Sequence, residues 1–204
     1  MNLTVIPLTG KKKDGKFCFF EELKKILQYN KFVIKNGDVL VISSKFISNS
    51  QGRILEINNS KVCNKAKEIA KKFNSNEKFM EIVFRESDNI LGGVAGFVMS
   101  TTNGILAPNA GIDKSNSKGT KIILYPNEPY KFAEELKRKI FLELNLHVGI
   151  IIVDSRLMPA RIGTTGVAIA CAGIEPTKDL RGEKDLDGNP LKVTFQATAD
   201  NLAS

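Results

Sequence analysis

Two aspartates stand where chemistry is possible. In APNAGIDKSN, Asp113 lies in a loop of small residues with Ser115 and Asn116 close behind it, an oxygen-rich group with little apolar purpose. In VGIIIVDSR, Asp154 and Ser155 emerge from the most apolar strand candidate of the chain, at a strand end of the kind where sheet proteins bind ligands. Two carboxylates with hydroxyl and amide oxygens suit a hard cation such as Mg2+ or Mn2+, which bridges phosphates and neutralises their charge. Aspartates in ordinary turns fit the same pattern, so the residues alone leave both readings open.

Other polar residues carry paired readings too. Arg156, Arg161 and Arg181 occur in Gly-containing segments and can grip phosphate or carboxylate by forked hydrogen bonds, or pair inside the fold. Lys11, Lys12 and Lys13 follow Gly10 as a phosphate-receiving loop or a solvated lysine run. Ser43 and Ser44 close the strand candidate VLVIS, either for a ligand or in a turn. Gln196 and Asp200 can serve as polar support. The single histidine, His147, falls between a helix and a strand, which argues for a structural role and against a Ser/His/acid hydrolase. No Walker sequence is present, and no GxGxxG leads from a strand into a helix. Cys18, Cys63 and Cys171 are odd in number and widely spaced, which disfavours zinc and disulfides. Cys171, in VAIACAGI, reads as a small buried hydrophobe.

The elements that must position these groups follow from hydrophobic pattern. LTVIPL reads as a first strand, 19–29 as a helix, and VLVIS after Asn36-Gly37-Asp38 as a buried strand. Residues 60–73 and 76–85 read as amphipathic helices entered through a capping Ser or Asn. Most of the sixteen glycines come after Ile90, beginning with LGGVAGF. A helix is expected over 129–145, with acids early and Lys137, Arg138 and Lys139 late. VGIIIV suits the middle of a sheet covered on both faces, Asp187-Gly188 signals a hairpin, and KVTFQAT is β-prone. The expected fold is α+β, a mixed sheet with flanking helices, in one domain over 1–204 that can comprise two intimately packed subdomains.

Composition narrows the function. The net charge of +8 and pI near 9.3 point to an anionic partner. Lysine-rich composition without Trp and with only three tyrosines argues against nucleic acid, and many of the lysines fit solvated helix faces as well as a phosphorylated small molecule. No apolar stretch is long enough to span a membrane and no leader pattern opens the chain, so a cytoplasmic protein is expected.

The segments NAGIDKSN and GIIIVDSRLMPARIGTTGVAIACAGIEPTKDLRGEKDLDGNPLKVTFQATADNLAS resemble the coenzyme F420 gamma-glutamyl ligase family, in particular its archaeal members. PLTG and GDVLVISSKFIS resemble it more loosely. The resemblance implies an α+β homodimer that adds L-glutamate to the F420-0 precursor with GTP, through an acyl phosphate, using two divalent cations, Mn2+ or Mg2+, with K+ as a further ion. By position, Asp113 and Asp154 match the ligands of one metal and Ser155 a hydroxyl ligand of the other. Asn116, Ser44 and Lys45 match nucleotide contacts, and Asn49 stands where many members have lysine. Lys11, Lys12 and Lys13 enter the nucleotide site on charge alone, and Arg156 and Arg161 are the candidates for binding substrate.

Family members continue beyond the position matching Ser204 through a Gly-rich segment like MGEG, which supplies a carboxylate to the second metal. A truncated form of a longer protein is the leading expectation. A partner that completes the site, or a chain that keeps the fold without turnover, are its alternatives. Competing functions are a gamma-glutamyl ligase for folate or another acceptor, and a non-catalytic nucleotide- or metal-binding protein.

Overall fold

The computed structural model describes residues 3–11, 13, 15–59, 61–114, 121–157 and 162–204. In chain order these form α1 (Phe19–Tyr29), β1 (Val39–Ser43), α2 (Ser44–Gln51), β2 (Ile54–Glu56), α3 (Asn64–Lys72), α4 (Glu77–Glu86), β3 (Asn89–Val94), β4 (Phe97–Thr102) and β5 (Ile105–Pro108). After these come β6 (Lys121–Ile123), α5 (Pro129–Leu144), β7 (Gly149–Leu157), β8 (Thr164–Ala172), β9 (Lys178–Asp179), β10 (Phe195–Gln196) and α6 (Thr198–Ala203). The fold is α+β. The chain divides into two units, Met1–Ile34 with Ser44–Glu128, and Lys35–Ser43 with Pro129–Ser204.

The first unit gathers its core from α3, α4 and the strands that follow. Ile69, Phe79, Met80, Val83, Val98 and Ile122 pack together with almost no solvent exposure, each contributing about 1.5–3 kcal/mol of burial. Asn76 starts α4: its side-chain oxygen accepts the Phe79 N–H at 3.0 Å, one of the orphan donors of the first turn. At α3 the cap is the Cys63 sulfur, which accepts from the Ala66 N–H at 3.5 Å, so the helix begins later than the expected residue 60. β3, β4 and β5 form an antiparallel sheet in that order, and β2 pairs with β6.

LTVIPL is not a strand. Leu3, Val5 and Ile6 are exposed, and the chain behind them is tied instead to the end of α1, where Asn30 accepts the Thr9 N–H at 3.2 Å and donates to the Thr9 carbonyl at 2.9 Å. β-propensity without a strand to pair with does not make a strand.

The second unit is built on β7, the centre of the sheet β1-β7-β8. β1 pairs with it parallel and β8 antiparallel, which is the mixed sheet expected. Gly149 through Ile152 are all buried, as a central strand requires. Gly149 is required by packing, because a Cβ there would lie 2.5 Å from Ile174. β1 itself alternates between faces, with Leu40 and Ile42 buried and Val41 44% exposed, so VLVIS is half-buried.

Two further expectations are corrected in this unit. The first and last turns of α5 carry no charged residue of the dipole-favoured sign; Pro129 at the first helical position, with its fixed φ, starts the helix. KVTFQAT contributes only the two-residue β10, paired with β9, and TADNLA turns into α6. The Asp187-Gly188 turn is present: Asp185 Oδ1 accepts the N–H groups of Asp187 and Asn189 at 3.0 and 2.8 Å.

Candidate functional site

In the first unit, Asp113 follows a backbone turn of unusual hand. Asn109, Ala110 and Gly111 have φ of 48°, 55° and 67°, a left-handed run that costs about 1–2 kcal/mol for each residue bearing a Cβ. Side chains hold it in place. Ser100, fully buried on β4, accepts the Ala110 N–H at 2.9 Å and donates to the Ala107 carbonyl at 2.8 Å. Asn109 Oδ1 accepts the Val98 N–H at 2.9 Å. Only glycine fits at 111, since a Cβ would overlap the Tyr125 ring. Beyond the turn, Asp113 exchanges both backbone hydrogen bonds with Ile123, at 2.9 and 3.0 Å. Its backbone is therefore fixed at both ends while the side chain remains part-exposed.

The Asp113 carboxylate forms an ion pair with Lys45 in the first turn of α2. Two stretches far apart in sequence thus meet: the strand-to-helix passage at Ser44-Lys45 and the Asp113 loop. Ser44 is buried at the head of α2. One turn later, the Ser48 hydroxyl and the Asn49 side-chain oxygen are buried without a hydrogen-bond partner among the described residues. Next to Asp113, the Lys114 ammonium lies 3.1 Å from the centroid of the Phe79 ring, and burial pulls its pKa down. Lys13 is drawn into the fold by the buried Glu22 at 3.1 Å, which leaves Lys11 as the exposed member of the described pair. Lys12, Ser115 and Asn116 lie outside the described residues.

In the second unit, Asp154 occupies a different place from the one expected. It is inside β7 rather than at its end. The last pair with β1 is Ser43 with Val153, and beyond it, among the described residues, β7 continues against β8, with Asp154 opposite Val167, Ser155 opposite Gly166 and Arg156 opposite Thr165. Asp154 is thus the first residue past the end of its parallel neighbour, and it is part-exposed, as is Arg156. The ladder shifts by one residue immediately before it, Ile152 pairing with Ala170 and Val153 with Ala168, so Ile169 is a bulge. Such irregularities re-aim side chains beside them. Arg161 lies outside the described residues.

Two residues weighed for chemistry have structural partners. Arg181 donates from Nε and Nη2 to both carboxylate oxygens of Asp179, at 2.7 to 3.1 Å, and lies 4.6 Å from the Phe195 ring; the same bonds lower the Asp179 pKa and raise that of Arg181. His147 stacks on Phe141 at 4.8 Å, and its backbone binds Asn36 and Gly37. Cys171 is part-buried in β8, and its thiol pKa is raised by burial and then by Glu175 and Glu134, the opposite of an activated nucleophile.

The oxygen donors present fit a hard cation. Asp113 already faces a positive charge in Lys45, and Asp154 and Ser155 are adjacent in sequence on a rigid strand. Among the described residues no three His, Cys, Asp or Glu side chains gather as a metal cage. A cavity of about 420 Å³ in the first unit is lined by Phe73, Phe84, Lys65, Glu68, Lys72 and Asp88 among others, with Leu91 and Gly92 of LGGVAGF on its wall. No helix among the described residues is long and apolar enough to cross a membrane.

Comparison with known proteins gives these positions a setting. Residues 8–204 match the family described as F420-0:Gamma-glutamyl ligase. The coenzyme F420:L-glutamate ligase of Methanopyrus kandleri is 33% identical over 172 residues, covering 84% of this chain and 68% of that protein. Proteins of the same name from Archaeoglobus fulgidus and Methanocaldococcus jannaschii are each 36% identical, over 170 and 175 residues, covering 83% and 85% of this chain and 68% and 70% of theirs.

Proposed function

The chain belongs to the F420-0:gamma-glutamyl ligase family, and from that premise we propose that it joins L-glutamate to the F420-0 acceptor at the expense of GTP. The match across residues 8–204 is the observation that carries this reading.

In the proposed reaction an acceptor carboxylate oxygen attacks the γ-phosphorus of GTP, and the bond to the GDP oxygen breaks, leaving an acyl phosphate. The glutamate amine then attacks the acyl carbon; the carbon–oxygen bond breaks, inorganic phosphate leaves, and the amine proton passes to solvent. A carboxylate is a poor acylating group until its oxygen is made a leaving group, which is what the phosphoryl transfer achieves. Divalent cations supply charge neutralisation at the transferring phosphate.

Each residue has a task in this scheme. Asp113 in the first unit, and Asp154 and Ser155 in the second, would each offer oxygen ligands to a divalent cation. Lys45 and Ser44 offer a cation and a hydroxyl at the head of α2, where helix N–H groups also favour phosphate. Asn49, Asn116, Lys11 and Lys12 complete the nucleotide side, while Lys13 is engaged by Glu22. Arg156 and Arg161 orient the anionic substrates by forked hydrogen bonds. A homodimer is part of the same reading, as is K+ as an accessory ion.

The experiment is mass spectrometry of F420-0 incubated with the chain, GTP, Mn2+ and L-glutamate, with a folate in parallel. A glutamate-sized mass gain on F420-0 that requires GTP supports the reading; a gain on the folate alone replaces the acceptor; retained GTP binding with no gain on either favours the non-catalytic alternative.

A further inference from the structure

The second unit ends in a short helix whose placement has no evident stabilising purpose by size alone, since α6 buries little beyond Ala199. Its contacts fall on one stretch of β8. Asp200 Oδ1 accepts the N–H of Ala168 at 2.8 Å, and Ala168 is the residue at which the ladder shifts around the Ile169 bulge. A backbone N–H that no strand pairs needs another acceptor. The Asp200 carboxylate is that acceptor for Ala168, beside the bulge. Two residues earlier on β8, Gly166 has no room for a Cβ, which would overlap the Ala203 carbonyl. The end of α6 thus rests on the backbone of Gly166. Ala199 in turn anchors the helix by donating its N–H to the Pro176 carbonyl at 3.0 Å.

The residues of β8 touched by α6 flank the partner of a proposed metal-binding position and include that of another. Ala168 pairs with Val153 and Gly166 with Ser155, and Val167 between them pairs with Asp154. Because β7 has already outrun β1 here, β8 is, among the described residues, the strand that pairs with the backbone bearing Asp154 and Ser155. We infer that α6, through Asp200 and the Gly166 contact, is a positioning element that sets the bulge and thereby aims Asp154 and Ser155 at the cation, without itself touching it. This rests on the assignment of Asp154 to metal binding in the proposed function.

The test is Mn2+ binding, read by electron paramagnetic resonance as the loss of the free-ion signal, on the full chain and on Asp200→Ala, Asp200→Asn, Gly166→Ala and Asp154→Asn, with circular dichroism to certify the fold. Loss of a group that orients a ligand commonly costs roughly 10- to 100-fold in metal affinity, and that loss is expected for Asp200→Ala and Gly166→Ala. Asp200→Asn keeps an oxygen that accepts the Ala168 N–H, so it retains most of the wild-type affinity. If Asp200→Asn loses as much as Asp200→Ala, the carboxylate is a ligand and the positioning role is overturned. Wild-type affinity in folded Asp200→Ala and Gly166→Ala, with loss in Asp154→Asn, also overturns the inference while leaving the site assignment standing. Wild-type affinity in Asp154→Asn removes that assignment and the inference with it. Should Asp200→Ala not fold, Gly166→Ala and Asp200→Asn decide the matter.

Discussion

Replacing Gly111 with alanine probes the loop that carries Asp113. Two costs add at this position. With φ at 67°, a side chain puts Cβ against its own backbone at about 1–2 kcal/mol. The new methyl also overlaps the Tyr125 ring, and Tyr125 is only 2% exposed, so the ring has no solvent to retreat into. Overpacking of this kind costs about 1–3 kcal/mol, for a sum of roughly 2–5 kcal/mol. At about 2–4 °C per kcal/mol for a chain of this size, thermal unfolding monitored by circular dichroism should shift down by roughly 5–15 °C. Gly188→Ala is the matched control: its φ is 84° but no atom lies within 4 Å of the added Cβ, so only the backbone cost of about 1–2 kcal/mol applies. Equal losses in the two variants would refute the packing argument and leave conformational strain as the whole effect.

Asp154→Asn should keep the fold, because the residue is part-exposed and past the β1 pairing, while Mn2+ titration shows affinity reduced by at least an order of magnitude; unchanged affinity rejects Asp154 as a ligand. Asn76→Ala should cost about 1 kcal/mol in a urea titration, since the Phe79 N–H loses its acceptor. Glu81 is buried on α4, and the Cys63 N–H and then Arg85 hold its pKa below the ordinary 4.5. A depressed carboxyl stabilises the fold fully above its unfolded pKa and ceases to do so as pH falls through the folded one. The advantage of wild type over Glu81→Gln in melting temperature should therefore be constant well above pH 4.5, shrink as pH falls from about 4.5 to the lower folded pKa, and level off below it; an advantage that stays undiminished in strong acid contradicts the linkage.

Much of the fold is legible from periodicity. Phe19, Phe20 and Leu23 mark the buried face of α1, and the unbroken run from Gly149 to Ile152 marks a central strand, because burial on one face or two leaves a repeating signature. Failures occur where a contact remote in sequence decides the outcome. LTVIPL carries a strand pattern, but Asn30 claims its neighbour Thr9. TADNLA is too short to show a helical period, and Asp200 in its first turn was the one signal pointing to it. At the site, the oxygen-bearing residues Asp113, Asp154 and Ser155 can be picked out by type. The Lys45–Asp113 pair and the Ser100 support join segments between which no local pattern runs.

Asp113 and Asp154 are set by the same kind of device despite lying in different units. Regular strands and helices present side chains at fixed periods, so a carboxylate needed off that period requires a break in the backbone ladder. Beside each break a side chain takes a backbone donor. Ser100 accepts the N–H of Ala110 at the left-handed turn, and Asp200 accepts that of Ala168 next to the bulge. In both cases the satisfying side chain comes from a neighbouring element rather than from the broken segment itself. The irregularity consequently persists only while that element is packed in place, so the orientation of each aspartate depends on tertiary structure and not on local sequence. Variants at Ser100 and Asp200 should on this logic perturb the aspartates more than equally buried polar changes that satisfy regular ladders, such as loss of the Ser50 hydroxyl, which bonds one turn back to Ile47 within α2.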